Sequence, residues 1–361
     1  MAELELQGIT KRFGEITALD NLTMRVPDKS FTALLGLPGA GKTTLLKIVA
    51  GVLEADEGRV YLDGIDVSGL PPQKRNVAMV YQSFALYPHM TVYDNVASPL
   101  KARKLSRSDI DKKVAEVLKF LNIEKLAGRY PRELSGGEAQ RVAIARSLVR
   151  EASIYLYDEP LTNLDYKLRE SARGELKKMC RETGTTILYA TPDPLDAISM
   201  ADYVGIMVKG RIIQFGPTRE VYDLPKNIPA ASIFGSPPMN FIEGIARMKG
   251  DKLVLETPIA DIDAKRYGGK LQVGSEYVIA LRPHYISFKE KIGEHATSFE
   301  AELYLTHVIG SETIGYARAN NIELTLHLPY IYRIPKPEKV SLAFSTDKIL
   351  LYDKETSSLI V

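Results

Sequence analysis

The sequence predicts an α/β domain with a mostly parallel sheet, followed by a smaller all-β domain of barrel type. Three observations carry this reading. Apolar strand-like runs alternate with helical periodicity from about residue 31 to residue 189. A glycine-rich loop at 36–43 joins one such run to a helix. Past Gly235 helical periodicity disappears and short alternating segments take over. A chain of 361 residues has room for both parts.

Residues 1–34 read as strands, with Leu4, Leu6 and Ile9 around Gly8, then Leu22, Met24 and Val26 between polar neighbours. Phe31–Leu35 is a short apolar run of buried-strand type that feeds the loop. Residues 44–50 read as a helix closed by Gly51. Residues 58–80 return to strand patterns around the turn Asp63-Gly64. Over 108–121, Ile110, Val114, Val117, Leu118 and Leu121 keep a three-to-four spacing, and Ser108 is the expected cap. A helical subdomain is expected over about 84–150, including a helix at 142–149. A strand at 154–157, a helix at 168–181 ending near Gly184, and a strand at 185–189 complete the alternation. Gly235-Ser236-Pro237-Pro238 reads as a linker. Strand patterns then recur at 253–255, 271–273, 277–281, 323–326 and 349–351. The expected domains are therefore 1–235 and 236–361.

Composition narrows the function classes. Hydrophobic residues make up 45% and charged residues 25%, which permits an ordinary core. The net charge of +2 gives no nucleic-acid footprint. The cluster Lys101, Arg103, Lys104 and Arg107 reads as solvated surface. A single cysteine, Cys180, excludes an internal disulfide, suits a reducing compartment, and reads as helix packing. The first residues, Met1 to Leu6, alternate apolar and acidic groups and do not resemble a signal peptide. No run approaches the roughly 18 apolar residues of a membrane span, so membrane association is expected to come through partner proteins.

The loop Gly36-Leu37-Pro38-Gly39-Ala40-Gly41-Lys42-Thr43, followed by Thr44, fits G-x-x-x-x-G-K-T between a strand and a helix. Its glycines let backbone N–H groups converge on phosphate oxygens, and the helix start adds partial positive charge. Lys42 is placed to reach β- and γ-phosphates and Thr43 to ligate Mg²⁺. Asp158 ends an apolar strand and is a second Mg²⁺ candidate, while Glu159 beside it is placed to polarise an attacking water. Leu134-Ser135-Gly136-Gly137-Glu138 opens a helix bearing Arg141 and Arg146. Ser135 with the free amides of Gly136 and Gly137 makes a second anion site. One nucleotide does not need two such sites from one chain, whereas two chains arranged head to tail would each supply half.

These residues resemble the ATPase subunit of the ATP-binding-cassette (ABC) transporters, over nearly the whole chain. The resemblance implies that 36–44 bind the ATP triphosphate, that 134–138 are the signature segment, and that Asp158 and Glu159 are the magnesium-associated acid and the catalytic carboxylate. It places Phe13 where an aromatic ring stacks on adenine. It gives Gln82 a role at the γ-phosphate and its metal, and toward the membrane partner. Leu161-Thr162-Asn163-Leu164-Asp165 matches a loop that crosses a dimer interface. Phe84 to Val92 is similar to a segment of maltose-type carbohydrate importers. Gly235 to Phe241 and Leu281-Arg282-Pro283 resemble their regulatory domain of oligonucleotide-binding-like β folds. Implied partners are a second ATPase subunit, two transmembrane permease subunits and an external solute-binding protein acting through them, with no nucleic acid. The implied location is cytoplasmic, peripheral on the inner face of the cell membrane.

The chain departs from that pattern at one position. Where the family carries a histidine after the strand at 185–189, this chain has Pro192, in Ala190-Thr191-Pro192-Asp193-Pro194. Proline offers neither a side-chain donor nor a backbone N–H. The expectation is an ATP-binding subunit with an impaired site of its own, paired with a second ATPase. The alternatives are a homodimer that hydrolyses slowly through Glu159 alone, or a regulatory ABC ATPase outside transport. Glu138 in place of a common glutamine is a mild change.

Overall fold

The computed structural model describes residues 3–162, 164–289 and 296–360. Met1, Ala2 and the loop residue Asn163 lie outside them. The chain divides into two compact units, Met1–Arg219 and Glu220–Val361.

The first unit is built on two sheets. Strands β1 (Leu4–Phe13), β2 (Ile16–Val26), β4 (Glu57–Leu62) and β5 (Ile65–Asp66) form an antiparallel sheet in the order β2-β1-β4-β5. The larger sheet holds β3 (Phe31–Leu35), β6 (Val77–Val80), β7 (Ile154–Asp158), β8 (Thr186–Thr191), β9 (Tyr203–Val208) and β10 (Arg211–Pro217). Its order is β10-β9-β3-β8-β7-β6, parallel except for β10. Every residue of β3, β7 and β8 is buried, as expected of central strands covered on both faces.

One face packs on α1 (Lys42–Ala50) and the antiparallel sheet, through Leu4, Leu6, Leu45, Leu46, Leu156 and Leu188. The other packs on α2 (Val92–Ala102), α3 (Arg107–Phe120), α4 (Gly136–Leu148) and α5 (Tyr166–Thr183), with Val96, Val114, Val142, Tyr157 and Leu176 in its core. Cys180 lies in that core, its thiol pushed up to about 11 by burial. The helix α6 (Pro194–Met200) follows β8.

One helix cap differs from the sequence expectation, and one helix is longer than its apolar run. The cap of α3 is Ser106, not Ser108, because Ser106 accepts from Asp109 N at 3.2 Å and Asp109 bonds back to its hydroxyl. The helix α4 runs from Gly136, longer than the apolar run at 142–149, since Ser135 and Glu138 close a capping box that carries it through both glycines.

The second unit contains two five-stranded antiparallel sheets. One runs in the order Asp261–Asp263, Lys252–Glu256, Asn240–Lys249, Glu276–Leu281, Leu350–Asp353. The other runs Ser287–Phe288, Glu338–Ser345, Ala296–Ile309, Glu312–Ala319, Ile322–Leu328. Ile279, Leu281, Leu303, Leu326 and Phe344 belong to its core. The division between units falls ahead of the Gly235 linker because residues 225–234 pack within the second unit. Ala231 joins Met239, Val278 and Tyr352 in a buried cluster, and Tyr352 Oη donates to Pro225 O at 2.8 Å.

Candidate functional site

Three neighbouring parallel strands set the site. Leu35 of β3 pairs with Thr191 of β8, and Ala190 of β8 with Asp158 of β7. Their carboxyl ends are level, so the loops that follow them share one rim, where ligands of open α/β sheets bind. Gly36 N donates to Thr191 O at 3.2 Å and Glu159 N to Ala190 O at 3.0 Å, which ties all three loops to the middle strand.

The loop at 36–43 needs two of its glycines for space. A Cβ at Gly36 would stand 2.5 Å from Met207 O, and one at Gly41 2.5 Å from Ala18 O, where φ is also +105°. Gly41 is the N-cap of α1, so the free amides of that helix start face the rim. Lys42 is 3% exposed. Its ammonium donates to Gly36 O at 2.8 Å and Leu37 O at 3.2 Å and lies 3.1 Å from Glu159 Oε1. Those three acceptors match the three donors of a lysine. Leu37 and Pro38 are exposed at the loop tip, and Ala40 is buried beneath it.

Thr43 Oγ1 donates to Asp158 Oδ1 at 2.8 Å. Burial raises the Asp158 carboxyl above its ordinary value; the Thr43 bond opposes this, and the neighbouring Glu159 charge adds to it. A hydroxyl and a carboxylate side by side are hard oxygen donors, the set Mg²⁺ prefers. Glu159 has φ +47°, the left-handed region, so its side chain leaves the strand toward Lys42 instead of continuing the pleat.

A cleft of about 280 Å³ is lined by Gly39, Gly41, Lys42, Thr43, Thr44 and Glu159, together with Ile16, Thr17, Ala18, Lys209 and Gly210. Sequence reasoning missed the last five. Gly210 accounts for their presence: its N–H donates to Ala40 O at 2.9 Å and its carbonyl accepts from Asp20 N at 3.1 Å, which pins the β2 and β9–β10 turns against the loop. Lys209-Gly210 is legible as a turn, but its docking partner is not. Phe13 does not line the cleft. It pairs with Ile16 across the β1–β2 hairpin and is 48% exposed, with the Lys11 ammonium 5.7 Å from its ring. Gln82 is exposed on the turn just past β6, which pairs with β7, the strand that ends at Asp158.

The segment Ser135–Glu138 lies elsewhere in the same unit. Ser135 caps α4, and Glu138 Oε2 accepts from both Ser135 N and Ser135 Oγ at 2.8 Å. These bonds lower the Glu138 carboxyl. The S-x-x-E spacing announces this box, although Glu138 reads in sequence only as a substitute for glutamine. Asp165 caps α5 by accepting from Leu168 N at 3.0 Å. Ser135 and Gly137 do not line the cleft at Lys42.

Around Pro192, the flanking polar groups are committed. Thr191 Oγ1 donates to Asp196 Oδ2 at 2.7 Å and accepts from Asp193 N at 3.0 Å. The Asp193 carboxylate accepts from Leu195 N at 2.9 Å and from Arg173 Nη2 at 2.8 Å. Arg173 Nε also donates to Asp196 Oδ1 at 2.7 Å.

The family model described as ABC transporter matches residues 19–162. Over 373 residues the chain is 39% identical to the trehalose/maltose import ATP-binding protein MalK of Thermococcus litoralis, covering 100% of both. It is 36% identical to the oligosaccharides import ATP-binding protein MsmX of Bacillus subtilis, covering 99% of each. It is also 36% identical to the sn-glycerol-3-phosphate import ATP-binding protein UgpC of Paraburkholderia xenovorans, covering 98% of each. A dimeric structure of MJ0796, a bacterial ABC transporter cassette, superposes with a TM-score of 0.55 at 32% identity, over 60% of this chain and 99% of that one. The same cassette is known in a post-hydrolysis dimer bound to ADP and Pi.

Proposed function

Because the chain belongs to the ABC transporter ATP-binding family, we propose that it energises an importer of a carbohydrate or related polyol as one of two ATPase subunits. The cleft at Lys42 takes the triphosphate. The amides of 39–44 and the α1 start hold phosphate oxygens, and Lys42 pairs with the β- and γ-phosphates. Phe13 and Ile16, on one face of the hairpin, take the base. Thr43 and Asp158, with Gln82, would hold Mg²⁺, which supplies charge neutralisation at the phosphates. Glu159 accepts the proton of the attacking water. Ser135, Gly136 and Gly137 close the site of the other subunit across the interface, and Asp165 lies on the loop that crosses it.

The observation that carries this reading is that Ser135, Gly136 and Gly137 do not line the cleft at Lys42 of their own chain. The cleft and the segment each need their complement from another molecule. Pro192 supports a partner of different sequence. It stands at the shared rim without a donor, and the groups beside it already serve Arg173 and Asp196. ATP binding still closes such a pair, since closure needs differential affinity and not cleavage at both sites.

The permease contact belongs to the exposed surface from Gln82 to His89. Arg146 fixes it from beneath by donating to Phe84 O at 2.9 Å and Ala85 O at 2.8 Å, with its guanidinium 5.4 Å from the Tyr87 ring. Among the described residues no helix is long and apolar enough to cross a membrane. A peripheral position on the inner face follows from this docking.

The test is steady-state ATP turnover by the purified chain beside Pro192→His, at concentrations that allow association. Binding with little turnover, and a rise in the variant, is the expected pair of results. Robust turnover by the unmodified chain would favour a self-sufficient homodimer and remove the case for an impaired site.

A further inference from the structure

We infer that the cavity between α4 and α5 is a binding site for a small neutral amphiphile: an apolar ring or short chain carrying one hydrogen-bond acceptor. The cavity measures about 230 Å³ and is walled largely by apolar side chains, among them Leu121, Ile144, Leu168, Leu176 and Met179. A dry apolar void of roughly 150 Å³ takes a benzene molecule, and pockets for drug-sized ligands begin near 300 Å³. The space therefore suits one ring with a short polar head and little more.

Gln140 supplies the chemistry. It lines the cavity and is 2% exposed, and its Nε2 has no hydrogen-bond partner among the described residues. A buried amide donor left unmade is costly, and an acceptor on a ligand relieves it. The charged groups on the wall fix the ligand as neutral. Arg141 is paired with Glu175 at 2.6 Å, and Glu138 is bonded to Ser135. An anion entering here meets two carboxylates and an arginine already engaged. A cation brings a donor against the donor of Gln140. Ser135 and Gly137 also line the space, so an occupant rests behind the signature segment, away from the nucleotide cleft.

The experiment titrates the full chain with benzyl alcohol and with toluene by calorimetry. Saturable binding of one benzyl alcohol per chain is expected, with toluene roughly fivefold weaker, the worth of one ordinary hydrogen bond. Gln140→Leu should erase that preference while toluene still binds. Ala172→Phe, which fills the space from α5, should abolish both, with ATP binding retained as the sign that the chain is folded. Absence of saturable binding to the unmodified chain overturns the site. So does a Gln140→Leu variant that keeps the full preference for the alcohol, or undiminished binding to a folded Ala172→Phe variant.

Discussion

The ends of β7 and β8 lie side by side in one sheet, one register step apart, and their polar groups serve opposite purposes. At the end of β7, Asp158 and Glu159 turn outward to Thr43 and Lys42, groups a triphosphate and its cation can claim. At the end of β8, Thr191 and Asp193 turn inward to Asp196 and Arg173, and the residue between them, Pro192, has nothing to offer. On the proposed reading, binding chemistry and hydrolytic chemistry are separable within a few ångströms of backbone, and this chain keeps the first intact while losing part of the second.

The largest effect that tests this contrast comes from Glu159→Gln placed in the Pro192→His background. Turnover should fall by about 10²–10⁴-fold, the usual worth of a positioned base, with nucleotide binding preserved. Single-turnover cleavage of labelled ATP reads it, and undiminished cleavage would move the base to another residue. Pro192→His alone should raise turnover on the order of 10²-fold. A silent variant would mean that Arg173 and its acids hold the loop too far from the phosphate for imidazole to act.

Lys42→Met should weaken ATP binding roughly 10–100-fold by equilibrium titration, since it removes a charge-assisted contact. Unchanged affinity would place the triphosphate elsewhere. The contribution of Asp158 is read from pH. Burial raises its carboxyl, and only the ionised form binds a cation. The magnesium dependence of nucleotide binding should therefore fade on acidification at a higher pH than an ordinary aspartate gives, and Asp158→Asn should flatten that profile. The smallest effect belongs to the second half-site. Glu138→Ala opens the capping box and should cost about 0.5–1 kcal/mol in thermal unfolding, while Glu138→Gln keeps most of it.

Much of this was legible in the sequence because the signals are local. The loop at 36–43 sits between a strand and a helix that local pattern places, and the acids at 158–159 end a short apolar run of buried-strand type. Caps were harder: Ser106 and Ser108 both precede the apolar period of α3, and the side chain of Asp109 decides between them. What local pattern could not yield is contributed across the fold. Ile16, Thr17 and Lys209 enter the cleft because Gly210 hydrogen-bonds to Ala40, a contact between segments far apart in the chain. The Lys42–Glu159 pair likewise depends on the β3-β8-β7 order, which periodicity does not specify.

Arg173 has a mechanical consequence. It is buried on α5, a helix that starts at Asp165, and it grips Asp193 and Asp196 on either side of the turn into α6. Removing one partner of the buried Arg173–Asp196 pair costs about 3–5 kcal/mol. The helix capped by Asp165 and the loop at Pro192 are therefore joined through Arg173 as well as through the backbone. That link runs through side-chain ion pairs whose members do not line the nucleotide cleft.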